Sequence, residues 1–184
     1  MNDAPTDFPK RLANIAAGQA LTLSAGNASA SLDRFAVWML FAFGAGVALI
    51  LSHIDEVQRY IPVASISRST RMFIFATIVC VVERYIAVIV SGAAKSGIEG
   101  VAIGEKYQNM DIDAFLSEMK RGIPAIARRF VSRVLDSASK GDYAASGRLL
   151  NRLTVWQGFL VLVEAALLIW GLIQLLNGIT GQGN

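Results

Sequence analysis

The middle of the chain, residues 72–91, reads MFIFATIVCVVERYIAVIVS. Apart from the adjacent pair Glu83 and Arg84 this run is uncharged, and its length of about 20 residues suits a helix that crosses a bilayer. Charge at bilayer depth is costly, so a charged side chain there usually faces another helix or water and marks a functional site. The run therefore predicts a membrane helix whose charges carry the function.

Two further segments are apolar enough to cross a membrane. Residues 35–52 (FAVWMLFAFGAGVALILS) hold no charge, and residues 155–176 (VWQGFLVLVEAALLIWGLIQLL) are interrupted only by Glu164. The whole chain of 184 residues is 54% hydrophobic with a mean hydropathy of +0.48, which is too apolar for an ordinary soluble domain. The sequence predicts an all-α, polytopic helical membrane protein with three transmembrane helices.

The distribution of basic residues predicts the orientation. Lys and Arg number 3 in residues 1–34, 3 in 54–71, 10 in 92–154 and none in 177–184. Because cytoplasmic loops carry the excess of Lys and Arg, the N-terminus and the long loop are expected in the cytoplasm and the C-terminus outside. The alanine content and the excess of Arg over Lys are typical of a bacterium with a GC-rich genome, which indicates the bacterial inner membrane.

These boundaries divide the chain into five segments. The segments outside the spans are expected to be a loose arm, a short external loop that Pro62 breaks, a helical region and a polar tail. Residues 24–31, rich in Ser, Ala, Gly and Asn, are expected to be the loosest part of the arm. The segments are 1–34, a cytoplasmic arm; 35–91, two transmembrane helices with their external loop; 92–154, a cytoplasmic basic helical region; 155–176, the third transmembrane helix; and 177–184, an external tail.

Small residues at a spacing of four predict where helices pack closely. Gly44 and Ala48 have this spacing in the first span, and a run of four such residues follows the second. That run favours an extension of the second helix over a glycine-rich hinge or a partial dip into the membrane, and Lys95 and Glu99 are placed for an ion pair on such a helix. In the third span Gln157, Glu164, Gly171 and Gly178 recur every seven residues, which predicts one inward-facing side of that helix. The predicted packing residues are Gly44, Ala48, Gly92, Ser96, Gly100, Gly104, Gln157 and Gly171.

The long loop predicts a cytoplasmic helical hairpin with a basic second helix. Helices are expected at residues 112–121 and 124–139, followed by a last helix that continues into the third span. The second helix of the hairpin is amphipathic and basic, so we expect it to lie on anionic lipid headgroups or against a cytoplasmic partner. The predicted contact residues are Lys120, Arg121, Arg128, Arg129 and Arg133.

Three interpretations of the intramembrane charges Glu83, Arg84 and Glu164 are open. In the first, Arg84 and Glu164 form a buried pair, within one chain or between chains, that fixes helix packing or subunit assembly. In the second, the two acids line a path for ions or protons. In the third, the spans shift and the long side chains reach the membrane interface. An acid left without a basic partner is expected to be protonated.

Motifs of the common enzyme classes are missing from the sequence. It contains no G-x-S-x-G, Walker A or H-E-x-x-H motif, and one cysteine and one histidine are too few for a zinc site. We therefore expect no enzymatic activity, no cofactor, no metal and no nucleic-acid partner.

Composition and charge placement together favour a non-enzymatic integral membrane subunit. Such a subunit belongs to a multi-subunit or homo-oligomeric assembly of the secretion, transport or energy-coupling type, with membrane lipids and other membrane subunits or further copies of itself as partners. The alternative is an oligomeric pore-forming or ion-conducting protein that uses Glu83 and Glu164.

Overall fold

The computed structural model describes residues 7–106, 117–118, 136–137, 142 and 144–180. Within these ranges the chain forms helices and no strand, as expected of an all-α protein. Most of the predicted hairpin of residues 112–121 and 124–139 lies outside the described residues. The helices are α1 (Asp7–Ser52), α2 (Ile54–Val57), α3 (Val63–Lys106) and α4 (Ala145–Thr180).

Three of these helices are long and apolar enough to span a membrane, which supports the predicted class of integral membrane protein. The stretches that qualify are Leu12–Ser52, Val63–Gly97 and Ala145–Thr180. At about 1.5 Å per residue, the 46 residues of α1 and the 44 of α3 extend well beyond a hydrocarbon core of about 30 Å. A part of each helix must therefore lie outside the apolar layer of any bilayer that it crosses.

The expectation of a loose arm is wrong, because α1 runs without a break from Asp7 to Ser52. Its small residues are used for packing, with Ala25 and Ser29 buried and Gly26 so close to α3 that an added Cβ would lie 2.8 Å from Cβ of Ala94. Gly and Ser weaken an isolated helix, but contacts with neighbouring helices outweigh intrinsic propensity.

The remaining helix boundaries follow the sequence signals more closely. The break after α1 contains the short α2 and ends at Pro62, which immediately precedes α3, a favourable place for a residue that lacks a backbone N–H. Residues 92–104 are helical, so the extended helix is confirmed over the hinge and the dip. The predicted continuation of a helix through Arg148 and Arg152 into the third span is confirmed in α4.

The chain divides into two compact units, and each takes a part of all three long helices. Unit 1 comprises Met1–Ala28 and Val90–Thr154, and unit 2 comprises Ser29–Ile89 and Val155–Asn184. Unit 2 contains all three charged residues of the apolar runs, Glu83, Arg84 and Glu164.

Contacts inside unit 2 fix the directions of its helices. Gln157 contacts Ser29, and 14 residues further along both helices Gly171 faces Phe43, so α1 and α4 are parallel. The ring of Phe43 stacks on that of Phe73 at 5.9 Å between centroids. Because Asp33 pairs with a residue later in α3 than Phe73, α3 runs antiparallel to α1.

Unit 1 repeats this arrangement with its own contacts. The hydroxyl of Thr154 donates a hydrogen bond to the carbonyl oxygen of Ala25 at 3.3 Å. Just before α4 begins, the backbone N–H of Ala144 donates to Oδ1 of Asn14 at 2.9 Å, so a side chain of α1 satisfies a donor at the α4 N-terminus.

Much of the burial along the long helices follows one spacing. Steps of three and four residues alternate throughout α4 and from Ala76 to Ala94 of α3, which is the heptad pattern of helices that pack side by side. Many of the positions hold small or polar residues where a soluble bundle would use Leu or Ile, which permits close approach of backbones in a membrane. In α4 the buried positions are Gly147, Leu150, Thr154, Gln157, Val161, Glu164, Leu168, Gly171, Leu175 and Gly178.

Candidate functional site: a polar interior in unit 2

Gln157 joins all three long helices at one level of unit 2. Its side chain is fully buried and its Nε2 atom donates two hydrogen bonds, one to the carbonyl oxygen of Ser29 at 3.0 Å and one to Oε1 of Glu83 at 2.5 Å. Ser29 belongs to α1, Glu83 to α3 and Gln157 to α4. A single amide therefore anchors a buried acid of one helix and the backbone of another.

The same interior contains polar atoms whose hydrogen-bonding capacity is not used. Buried polar groups in proteins almost always have a partner, and each exception needs a physical explanation. Within the described ranges, the buried side-chain oxygens without a hydrogen-bond partner all belong to unit 2. They are Oγ of Ser29 and Ser69, Oδ1 of Asp33, Oε2 of Glu83, Oε1 of Gln157 and both carboxyl oxygens of Glu164.

Glu164 is the most isolated of these acids. It lies seven residues beyond Gln157 on the same face of α4 and is fully buried, yet neither of its oxygens has a hydrogen-bond partner among the described residues. The contacts of Gln157 with Ser29 and of Gly171 with Phe43 bracket it, which places Ala36 of α1 at its level. On α3 the thiol of Cys80 is a weak hydrogen-bond donor beside this carboxyl group, outside ordinary hydrogen-bond geometry, and Glu83 adds a second acid nearby.

The structure pairs Arg84 with Asp33 and not with Glu164. The Nε atom of Arg84 lies 3.7 Å from Oδ1 of Asp33, and the two side chains are 59% and 25% exposed. Adjacent residues of a helix point about 100° apart, so the buried Glu83 places its neighbour on the outer surface. The predicted buried pair of Arg84 and Glu164 within one chain is therefore wrong. Arg84 of α3 instead forms a surface pair with Asp33 of α1.

This pairing also changes the expected depth of two charges. Glu83 and Arg84 lie in the middle part of the apolar run of α3, but Asp33 comes two residues before the apolar run of α1 begins at Phe35. Contact between them places the two charges of α3 level with Asp33 and Arg34 of α1. Glu164 lies about 10 Å further along α4 than Gln157, which is bound to Glu83. Of the three predicted charges, Glu164 is therefore the one furthest inside its apolar run from the level of Asp33.

The predicted packing residues divide into two groups. Gly44, Gln157 and Gly171 face other helices, and an added Cβ on Gly44 or Gly171 would lie 3.1 Å from the ring of Phe73 or Phe43. Ala48, Gly92 and Ser96 are exposed, and an added Cβ on Gly92 would meet nothing within 4 Å.

The position of the packing seam on α3 is therefore a correction. The heptad phase set by Ala76, Cys80 and Glu83 continues to Ala87, Val90 and Ala94, which are buried, and leaves Gly92 and Ser96 on another face. Gly100 and Gly104 belong to α3, and their surroundings lie outside the described part of the structure. The predicted ion pair of Lys95 and Glu99 is present at 4.0 Å.

The predicted lipid or partner contacts cannot be placed. The residues Lys120, Arg121, Arg128, Arg129 and Arg133 lie outside the described part of the chain.

The sequence interpretation missed three members of the polar interior. Ser29, Asp33 and Ser69 were not singled out, although Ser29 precedes Ala36 by one heptad and Asp33 is the last acid before an apolar run. The described residues contain no group of three or more His, Cys, Asp or Glu side chains arranged to hold a metal ion. The interior contains buried polar oxygen atoms spread along the helices, including those of the Glu164 carboxyl group.

Comparison of the chain with protein-family models, with characterised proteins and with solved structures gave no match. Its function is therefore argued from its own residues.

Proposed function

We propose that this chain is a non-enzymatic integral membrane subunit of a larger assembly, formed with other membrane proteins or with further copies of itself. The observation that supports the proposal best is the surface position of Arg84. Its guanidinium group is 59% exposed on α3, and Asp33, its ion-pair partner, is 3.7 Å away without a hydrogen bond. A guanidinium group carries five N–H donors, so Arg84 retains most of its capacity to bind another protein.

The surroundings of Arg84 strengthen this argument. The α3 side chains on either side of it, Val81, Val82, Tyr85 and Val88, are all exposed and apolar or aromatic. A carboxylate or free carbonyl oxygen of a neighbouring helix would bind this guanidinium group, while the apolar side chains around it would pack against that helix. We infer that this face of α3 contacts another transmembrane helix that carries such an acceptor.

The proposed setting follows the distribution of charge. The subunit lies in a bacterial inner membrane, with the N-terminus and residues 92–154 on the cytoplasmic side and the C-terminus outside. Its basic region, with Lys120, Arg121, Arg128, Arg129 and Arg133, contacts anionic headgroups or a cytoplasmic partner.

The mass of the intact chain purified in a mild detergent tests the proposal. We expect a particle larger than one chain, and we expect Arg84→Leu to shift it towards the monomer while the variant stays folded. Lys95→Leu is the matched control, because Lys95 is an exposed cation of the same helix that already pairs with Glu99 in its own chain. A monomeric wild-type particle, isolated without other proteins, would contradict the proposal.

A further inference from the structure

We propose that the carboxyl group of Glu164 is a reversible proton-binding site in the interior of unit 2, where other buried oxygens on either side of it also have no hydrogen-bond partner. The inference goes beyond the assembly role and is independent of it, because Glu164 is fully buried within its own chain and takes no part in the surface around Arg84.

The isolation of Glu164 supports a proton as its ligand. A buried carboxylate without a cation or hydrogen-bond donor carries a large desolvation penalty, and binding one proton removes the charge. Arg84 is directed to Asp33 on the surface, and the amide donors of Gln157 are taken by Ser29 and Glu83. The described interior therefore offers the carboxyl group of Glu164 no cation and no donor beyond the weak thiol of Cys80.

The charged and titratable groups near Glu164 lead to the same conclusion. On α1 the group is Asp33, and on α3 the groups are Cys80, Glu83 and Arg84, while α4 contributes the neutral Gln157. Arg84 is the one cation in this set, and its ion-pair partner is an acid. Two acids that share an interior with one compensated cation cannot both stay ionised at low cost.

The unpartnered oxygens on either side of Glu164 are the second and independent observation. Gln157 lies two turns before it on α4 with Oε1 free of hydrogen bonds, and Ser29, at the level of Gln157, has a free hydroxyl. Two turns after it, Gly171 lies against Ser69, whose hydroxyl also has no partner in the described chain. All three of these polar side chains are at most 1% exposed.

These oxygens are spread along the helices and do not form a cage. From Gln157 to Gly171 they follow about 21 Å of α4, so the six or more oxygens that a calcium or magnesium ion needs do not meet at one point. A proton needs only one acceptor, which the carboxyl group of Glu164 supplies. The geometry therefore favours a proton over a metal cation.

Infrared spectroscopy of the intact chain in liposomes tests the proposal. A protonated carboxyl group has a C=O stretching band that a carboxylate lacks, and Glu164→Gln keeps the size of the side chain while removing the band. We expect a band that is absent in Glu164→Gln and that weakens reversibly as the pH is raised. Glu99→Gln is the control, since Glu99 is an exposed acid paired with Lys95.

Three results would overturn the proposal. If the wild type and Glu164→Gln show the same C=O band of protonated carboxyl groups at every pH, Glu164 binds no proton; if the wild type keeps an additional band of constant strength over the whole range, the acid is permanently neutral and only structural. Addition of sodium chloride at fixed pH tests whether Glu164 binds a metal cation. If sodium removes the band as effectively as alkali does, the site binds a metal cation and the proposal of a proton site is overturned. Reaction with dicyclohexylcarbodiimide, which adds to protonated carboxyl groups, should modify Glu164 less at higher pH.

Discussion

Gln157 and Glu83 form a buried amide–carboxylate hydrogen bond of 2.5 Å between α4 and α3. The second N–H of the same amide is bound to the carbonyl oxygen of Ser29, so the pair also fixes α1. In an apolar interior, hydrogen bonds to an acid are stronger than in water, and leaving either partner alone is costly.

Replacement of Gln157 by Leu should destabilise the protein. The substitution leaves Oε1 of Glu83 and the carbonyl oxygen of Ser29 without these donors, at a cost of about 2–3 kcal/mol in the free energy of unfolding. Thermal unfolding in detergent, followed by tryptophan fluorescence, measures the effect. Gln58→Leu, at an exposed site between α2 and α3, should leave the Tm unchanged.

The double variant Glu83→Leu, Gln157→Leu separates this hydrogen bond from general packing. Because both polar partners are replaced together, it should recover part of the loss caused by Gln157→Leu alone. A double variant that is as unstable as the sum of the two single variants would show that the pair is not coupled.

A methyl group at Gly147 should be tolerated poorly, in contrast with one at Gly92. An added Cβ on Gly147 would lie 2.7 Å from the carbonyl oxygen of Gly18 and 2.8 Å from Cβ of Leu21, so two backbones must separate. We expect Gly147→Ala to lower the free energy of unfolding by about 1–3 kcal/mol. Gly92→Ala should raise it by up to about 1 kcal/mol, since nothing lies within 4 Å and Ala favours the helix. Equal effects at both sites would contradict the packing described for unit 1.

Cys80 should react slowly with thiol reagents. It is 5% exposed in the interior of unit 2, so the native chain in detergent should be modified by N-ethylmaleimide far more slowly than after denaturation. Ser96→Cys in a Cys80→Ala background is the control and should react quickly, because residue 96 is exposed. Mass spectrometry of the intact chain at successive times measures both rates. A slow reaction at residue 96 would favour the packing seam predicted from the sequence.

Reporter fusions test the predicted orientation. Alkaline phosphatase is active only outside the cytoplasmic membrane, so a fusion after Asn184 or after Gln58 should be active and a fusion after Asp142 should be inactive. The reverse pattern would place the basic region of residues 92–154 outside and would contradict the charge-based orientation.

Much of the secondary structure could be predicted from local signals. The apolar runs, the break at Pro62, the helical extension through residues 92–104 and the continuous last helix all follow from composition and spacing along one segment. The arm failed as a prediction because the Ser, Gly and Asn content of residues 24–31 indicates a loop when the packing partners are unknown. At Gly26 the helix packs against Ala94 of α3, and this contact leaves no room for a larger residue.

The sequence identified some residues of the candidate site, but it missed Ser29, Asp33 and Ser69 and did not predict the pairing. Glu83, Arg84 and Glu164 were identifiable because charges are rare in apolar runs, and the seven-residue recurrence of Gln157, Glu164 and Gly171 predicted one buried face of α4. The partner of Arg84 was not identifiable, since the choice between Asp33 and Glu164 depends on how α1 and α4 are registered against α3.

The sequence by itself determined the helical class, the three apolar helices and the periodicity of their buried faces, because each depends on residues that are close together along the chain. Only the tertiary structure decided that Gln157 binds Glu83, that Arg84 pairs with Asp33 on the surface, and that Glu164 is buried without a partner. These relationships depend on the relative register of helices far apart in sequence. A shift of one residue turns a helical side chain by about 100°, which is enough to exchange a buried position for an exposed one.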